Sequence, residues 1–203
     1  MDALYYVADP MCSWCYGFAS EWKQARERLG LPVRLVMGGL APDSDEPMPD
    51  ETREMVQGAW RAVAQATGAT FDFDFWKKCQ PRRSTYPACR AVIAAEKLHI
   101  GAGEAMFAAV QRAYYTEARN PSDAATLVAL AGEIDLDGQR FDGALASNET
   151  ESLLEEDLRL ARSLGVRSYP TVVLVQGGNA HALASGYETA ENVLARYAEL
   201  DPA

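Results

Sequence analysis

The sequence predicts an α/β fold whose sheet is assembled from the two ends of the chain. A β-α-β pattern runs through residues 3–37, and a β-β-α pattern runs through residues 171–199. The long stretch between them is dominated by helical periodicity. These observations predict one α/β domain formed by residues 1–40 and 165–203, with an inserted helical domain over residues 41–164.

The β-α-β unit is predicted from short apolar runs and glycine stops. Residues 3–8 predict a buried strand, and residues 33–37 predict a second strand that ends at Gly38-Gly39. Residues 13–29 predict a helix, because apolar side chains recur there at helical spacing: Trp14, Phe18, Trp22, Ala25 and Leu29. Short apolar strands of this kind favour a sheet that is covered on both faces.

Six helices are predicted in the insertion, over residues 51–67, 86–98, 102–117, 122–134, 139–146 and 150–164. Asp50, Ser84 and Ser122 are candidate N-terminal caps for three of them. Residues 71–75 alternate aromatic and acidic side chains with the period of a strand. Since no partner strand lies nearby, we interpret this segment as a loop that tucks aromatic rings under the helices.

The strand pattern returns near the C-terminus. Residues 171–175 are strongly β-prone, Gly177-Gly178 supplies a turn, and residues 180–184 are placed to pair back as a hairpin. Thr189 is a candidate cap for a final helix over residues 190–199. This β-β-α half completes the predicted sheet.

Composition excludes several classes of function. The apolar fraction of 48% is too high for a disordered chain, and no apolar run reaches the length of a membrane span. The net charge of −10 leaves no basic patch for nucleic acid. Met1-Asp2-Ala3-Leu4 lacks the basic start of a secretory signal, so we expect a cytoplasmic protein with neither membrane nor nucleic-acid partners.

The motif Cys12-Ser13-Trp14-Cys15 follows the first strand and opens the first helix. Free backbone N–H groups and the helix dipole favour a thiolate at Cys12, whereas Cys15 should be more buried. We therefore expect Cys12 to be the nucleophile and Cys15 the resolving thiol. A zinc site is disfavoured, because the other cysteines, Cys79 and Cys89, are ten residues apart with no histidine alongside.

Tyr169-Pro170 lies directly before the strand at residues 171–175. If this peptide bond is cis, the backbone of Tyr169 turns toward the cysteines, where it can pair with an extended substrate. The alternative is an ordinary proline at the start of a strand.

Two segments carry a resemblance to a known family. Asp9-Pro10-Met11-Cys12-Ser13-Trp14-Cys15-Tyr16-Gly17 resembles the Asp-x-x-Cys-x-Trp-Cys-x-Gly opening of the DsbA-like branch of the thioredoxin superfamily, and residues 165–171 resemble its cis-proline loop. The chain is most similar to the cytosolic members grouped with FrnE, kappa-class glutathione transferases and hydroxychromene-carboxylate isomerases. The resemblance implies a thioredoxin-like fold with a helical domain inserted between its β-α-β and β-β-α halves.

The chain departs from the family pattern at two places. Ser13-Trp14 replaces the Pro-His pair of the periplasmic oxidant, so its extreme oxidising potential is not expected here. The run from Ser84 to Arg90 matches the Asn-Thr-x-x-Ala-His-Arg segment of FrnE-like members, with Cys89 in place of the histidine.

Further side chains are candidates for a supporting role. We expect Met11, Trp14, Tyr169 and Pro170 to contribute to substrate binding, while Phe18 is better explained as core. Asp9 either exchanges a proton with Cys15 or caps a turn. Cys79 and Cys89 either form a second disulfide or relay, or serve as unpaired apolar residues.

The leading hypothesis is a thiol-disulfide oxidoreductase or isomerase that acts through Cys12 and Cys15. It needs no cofactor beyond this redox-active pair, with glutathione as a candidate reductant or co-substrate. The partner is then a thiol or disulfide, protein or small molecule, and the enzyme is a monomer or homodimer. The alternative is a glutathione-dependent transferase or isomerase, and a third hypothesis is a binding module with an inert or metal-filled Cys pair.

Overall fold

The computed structural model describes residues 3–200, which form a four-stranded mixed sheet with helices around it. The strands are β1 (Ala3–Ala8), β2 (Val33–Met37), β3 (Thr171–Gln176) and β4 (Asn179–Ser185), and their order in the sheet is β2-β1-β3-β4. β1 pairs in parallel with β2 and antiparallel with β3, and β3 pairs antiparallel with β4. The two ends of the chain thus form one sheet, as the sequence predicted.

The helices follow the chain as α1 (Ser13–Leu29), α2 (Asp50–Thr67), α3 (Phe75–Lys78), α4 (Tyr86–Leu98), α5 (Ala102–Thr116), α6 (Ala124–Glu133), α7 (Gly138–Leu145), α8 (Asn148–Ser163) and α9 (Ala190–Leu200). α2 to α8 lie between β2 and β3. α4 packs against α5, α6, α7 and α8, and its buried side chains are mostly small. Small residues let the neighbouring helices approach α4 closely.

Both faces of the sheet are covered, because alternate residues of β1 belong to different apolar clusters. Leu4 and Tyr6 pack in the main core with α1. Val7 packs with Val36 and Ala161, so α8 covers the other face. This agrees with the expectation from the short apolar strands. Within residues 3–200, no helix combines the length and apolar character that a membrane crossing requires.

The structure corrects the prediction for residues 71–75. The segment is irregular up to Asp74, but α3 begins at Phe75. The rings of Phe71 and Phe73 lie 5.2 and 5.7 Å from the ring of Trp60, which confirms the tucked loop. A helix of four residues is too short to produce a periodic pattern, which explains why α3 was missed.

Three predicted helix caps were also wrong. α4 and α6 begin after Thr85 and Asp123, one residue later than the predicted caps, Ser84 and Ser122. The Ser122 hydroxyl instead donates to the Ser84 carbonyl oxygen at 2.8 Å and joins the two helix starts. Asp50 is the first residue of α2 rather than its cap.

Gly17 provides a test of the contact between α1 and α2. A Cβ atom at this position would lie 2.6 Å from Val63 Cγ1, so Gly17→Ala should lower the free energy of unfolding by about 1–3 kcal/mol. Gly58 is the matched control, since a Cβ there meets no atom within 4 Å. Gly58→Ala should raise stability by about 0.5–1 kcal/mol. Urea denaturation measures both changes, and equal effects would contradict the close contact.

Candidate active site

Cys12 occupies the N-cap position of α1, and Cys15 lies in the first turn. The Cys12 backbone N–H donates to the Asp9 carbonyl oxygen at 3.0 Å, and the Cys12 carbonyl accepts from the Tyr16 N–H at 3.1 Å. These bonds fix the turn between β1 and α1. Cys12 is 6% exposed and Cys15 is fully buried, so only the first cysteine is open to a substrate.

The surroundings of the two thiols shift their pKa values in opposite directions. A hydrogen bond from the Cys15 thiol is the largest influence that lowers the pKa of Cys12, and the backbone N–H groups of Cys15 and Trp14 add to it. Burial and the charge of Asp9 oppose this lowering. Burial raises the pKa of Cys15 well above its ordinary value, and the neighbouring Cys12 raises it further. The arrangement therefore favours a thiolate on Cys12 and a protonated thiol on Cys15.

The segment before β3 reaches the same place from the far half of the chain. The Tyr169–Pro170 peptide bond is cis, and the Cys12 thiol lies 3.6 Å from the carbonyl oxygen of Tyr169. The Pro170 carbonyl accepts from the Gly186 N–H at 2.7 Å, which connects this segment to the end of β4. The sequence predicted this meeting only on condition that the bond is cis.

Gly38 permits the close approach of the Tyr169 side chain. The Tyr169 hydroxyl donates to the Gly38 carbonyl oxygen at 2.7 Å. A Cβ atom at Gly38 would lie only 2.5 Å from Tyr169 Cε1. Sequence reasoning treated Gly38 as the end of a strand and missed this second role. The adjacent pair of glycines was the available signal, because glycine also marks places where chains pack closely.

A buried carboxylate lies directly behind the cysteine turn. Asp9 is fully buried, and its Oδ1 accepts from the Met11 N–H at 2.8 Å. Its Oδ2 accepts from the Leu40 N–H and the Thr85 hydroxyl, both at 2.6 Å, and from the Cys89 thiol at 3.6 Å. Burial raises the pKa of Asp9, while these hydrogen bonds act in the opposite direction. The carboxylate therefore joins the cysteine turn, the segment after β2 and the start of α4.

This network bears on the two roles considered for Asp9. The Asp9 carboxylate accepts hydrogen bonds from four groups, and Cys15 is not one of them. These contacts favour the turn-capping role over proton exchange with Cys15. The backbone N–H of Asp9, by contrast, lowers the pKa of Cys15.

The remaining two cysteines have separate partners, and both are free thiols. The Cys89 thiol is fully buried and points to Asp9, and burial raises its pKa well above the ordinary value. The Cys79 thiol donates to the Ala118 carbonyl oxygen at 3.2 Å. The structure shows these two thiols on separate partners, and the choice between a disulfide or relay and unpaired thiols stays a prediction.

The predicted substrate-binding side chains differ in their accessibility. Trp14 is half-buried, and its ring lies 6.2 Å from the ring of Tyr187, a residue that sequence reasoning missed. Met11 is 8% exposed, about as much as Cys12, and its part in substrate binding stays a prediction. Phe18 is fully buried, in agreement with a core role. Trp14 and Tyr187 are therefore the aromatic groups best placed to border a substrate.

No metal centre is evident in the described part of the chain. Among residues 3–200, no three His, Cys, Asp or Glu side chains are grouped as a metal ion would require. His99 is exposed with Nδ1 2.9 Å from the Ile100 carbonyl oxygen, and His181 lies on β4.

The acidity of Cys12 can be tested by alkylation. In the reduced protein, the iodoacetamide reaction of Cys12 should be half-maximal below the pKa of a free cysteine, about 8.5. Cys15→Ala should raise this midpoint because it removes the hydrogen-bond donor, whereas Cys15→Ser keeps a donor and should raise it less. Mass spectrometry of the Cys12 peptide follows the reaction. A midpoint unchanged in Cys15→Ala would contradict the proposed stabilisation.

Asp9 predicts a pH dependence of stability. Its pKa is higher in the folded protein than its ordinary value of 3.8, so the folded state retains a proton that the unfolded state has lost. The contribution of Asp9 to stability is therefore greatest at low pH and falls as pH rises from 3.8 through the folded pKa. Urea denaturation of wild type and Asp9→Asn across this range isolates the effect. The difference between the two proteins should change with pH, and a constant difference would refute the assignment.

Solved structures of other proteins resemble this chain over nearly its whole length. A crystal structure of a candidate protein disulfide isomerase from Nitrosomonas europaea has a TM-score of 0.85 at 26% identity, over 98% of this chain and 96% of that one. The cytosolic disulfide reductase DsbM from Pseudomonas aeruginosa has a TM-score of 0.81 at 29% identity, over 99% and 100% of the two chains. Its structure with GSH has a TM-score of 0.78 at 28% identity, over 98% of each chain.

The ClpXP adapter protein SpxH of Bacillus subtilis is a further relative, 24% identical over 172 residues. The match includes 83% of this chain and 56% of SpxH, so the chain spans little more than half the length of that relative. Residues 4–198 match the family described as DSBA-like thioredoxin domain. With its mixed sheet and inserted helices, this chain belongs to the DsbA-like family of thioredoxin-fold proteins.

Proposed function

We propose that this protein is a thiol-disulfide oxidoreductase in which Cys12 attacks the substrate and Cys15 resolves the intermediate. One observation carries the proposal: Cys12, the more exposed thiol of the pair, lies at the N-cap of α1, 3.6 Å from the Tyr169 carbonyl oxygen, and the fully buried Cys15 is one helical turn away. The lowered pKa of Cys12 and the raised pKa of Cys15 agree with this placement. An attacking thiol must be ionised and reachable, whereas a resolving thiol needs only to reach the first sulfur.

The reaction consists of two exchanges. The Cys12 thiolate attacks one sulfur of a substrate disulfide, forms a Cys12–substrate mixed disulfide and releases the other sulfur as a thiolate. Cys15 then loses its proton and attacks Cys12, so that the second substrate thiolate leaves and a Cys12–Cys15 disulfide remains. The substrate gains two electrons and the enzyme loses two. Once the substrate sulfur replaces the charge on Cys12, the influence that raises the pKa of Cys15 is partly removed.

The Tyr169 backbone is the proposed guide for the substrate. Its carbonyl oxygen lies beside the Cys12 sulfur, where an extended segment of a substrate can hydrogen-bond it. Trp14 follows Cys12 in the motif, and its ring packs with the ring of Tyr187, so we expect these two side chains to contact the substrate. Hydrogen bonds between two backbones do not depend on the side chains of the substrate. We therefore expect the enzyme to accept substrates of different sequence.

We further propose that the enzyme works in the cytoplasm in the reducing direction, with glutathione as the electron donor. DsbM, at 29% identity over 99% of this chain, is described as a cytosolic disulfide reductase, and a structure of it with GSH exists. Ser13-Trp14 places no basic group between the cysteines, which is consistent with a couple that is not strongly oxidising. The oxidised enzyme would take two electrons from two glutathione molecules, which leave as glutathione disulfide.

Reduction of insulin by glutathione tests the proposal. Cys12→Ser should lower the rate to that of the uncatalysed reaction. Cys15→Ser should accumulate a mixed disulfide at Cys12 that mass spectrometry detects, because the second exchange is blocked. Cys79→Ser is the matched control, since the Cys79 thiol contacts Ala118 and neither member of the pair. Its rate should stay close to that of the wild type.

The same variants distinguish the glutathione-dependent transferase or isomerase. In that case Cys12 only activates bound glutathione, so Cys15→Ser should keep its activity and bind glutathione tightly. Full turnover by Cys15→Ser, with no mixed disulfide formed, would reject dithiol exchange.

A further inference from the structure

A cavity of about 710 Å³ lies between α1, α5 and the strands β1 and β2. Cys15 contributes to its lining, but Cys12, Tyr169 and Pro170 do not. The cavity is therefore distinct from the surface where the Cys12 sulfur meets the Tyr169 carbonyl. Apart from Cys15, no residue of the proposed exchange reaction lines it.

The walls of the cavity are mainly apolar. Trp22 and Phe107 provide aromatic surface from α1 and α5, and Leu31, Val33 and Leu35 provide aliphatic surface. The Tyr6 ring stacks on Trp22 with centroids 4.8 Å apart. Such a lining suits a ring or a short hydrocarbon chain.

Two polar side chains in this lining carry a donor without a hydrogen-bond partner in the described part of the chain. Tyr6 and Gln111 are each 6% exposed. Among residues 3–200, Gln111 Nε2 is buried and finds no hydrogen-bond acceptor. The Tyr6 hydroxyl makes no hydrogen bond within these residues either, but it is not one of the fully buried unpaired atoms. Buried polar groups in folded proteins are nearly always paired, so the unpaired Gln111 Nε2 points to an acceptor that comes from outside the chain. The Tyr6 hydroxyl lines the same cavity and can donate to the same acceptor.

The positive and negative side chains at the rim of the cavity balance each other in number. One of them, Lys23, offers an ammonium group that has no ion-pair partner within residues 3–200. Arg26 and Glu104 neutralise each other at 2.8 Å. Lys23 and Glu27 also line the rim, and neither forms an ion pair within the described residues. A carboxylate is an acceptor-only group with two oxygens, so it can accept from both Tyr6 and Gln111 and still attract Lys23.

We propose that this cavity binds a small carboxylate whose apolar ring or chain packs against Trp22 and Phe107, with its oxygens on Tyr6 and Gln111. The site is separate from the thiol-disulfide activity, so the proposal stands whether or not that activity is confirmed. Because Cys15 forms part of the lining, a bound ligand would lie next to the resolving cysteine.

Two probes with the same apolar body test the site. 4-Phenylbutyrate carries an acceptor head, and 4-phenylbutylamine carries a donor head in its place. Calorimetry of the full-length protein should show the carboxylate binding about tenfold more tightly than the amine, as expected for about one net charge-assisted hydrogen bond. The side-chain amide resonance of Gln111 should shift in NMR spectra with the carboxylate alone.

Variants connect the binding to the cavity. Tyr6→Phe and Gln111→Leu should each remove most of the preference for the carboxylate, while circular dichroism verifies the fold. Ala108→Trp places a large ring at an exposed lining position and should abolish binding of both probes. Ala125→Trp, on an exposed face of α6 away from the lining, is the matched control and should bind as wild type does.

Three results would overturn the proposal. Equal affinity for both probes would show that the head group does not reach the unpaired donors. Binding that survives Ala108→Trp would place the probe elsewhere. Absence of carboxylate binding to the wild-type protein would show that the two donors serve no ligand of this class.

Discussion

The buried carboxylate of Asp9 holds together three segments that come from distant parts of the chain. It accepts hydrogen bonds from the cysteine turn at Met11, from the segment after β2 at Leu40, and from the start of α4 at Thr85. An unpaired carboxylate in such a place would be strongly unfavourable, so these donors are required wherever Asp9 is retained. The shape of the cysteine turn therefore depends on residues that lie over seventy positions away.

This constraint explains how the inserted helices contribute to the candidate active site. Thr85 and Cys89 belong to the start of α4, and both point to Asp9 rather than to a substrate. α4 in turn packs against four other helices of the insertion. The insertion thus acts on Cys12 through Asp9, whose charge opposes the thiolate that Cys15 and the backbone favour. The acidity of Cys12 results from this balance and is not set by the Cys pair alone.

The sequence predicted the longer helices, whose apolar residues recur at helical spacing. It also predicted the Cys12–Cys15 pair, which is recognised from the spacing of two nearby residues. α1 and α4 have the predicted bounds, and the distant cysteine and proline segments meet as expected. The contacts of Asp9, Gly38 and Tyr187 were not predictable, because each depends on the relative placement of segments far apart in the chain. α3 was missed since four residues carry no measurable period. The lack of hydrogen-bond partners for Tyr6 and Gln111 could not be predicted either, because it depends on which groups surround them in the folded protein.

The contact between Gly38 and Tyr169 has a consequence for the evolution of this fold. The phenol ring occupies the space that any side chain at position 38 would need. A mutation at either position therefore alters what the other tolerates, and relatives with a larger residue at 38 should carry a smaller one at 169. The two positions are expected to covary across homologues even though 131 positions separate them.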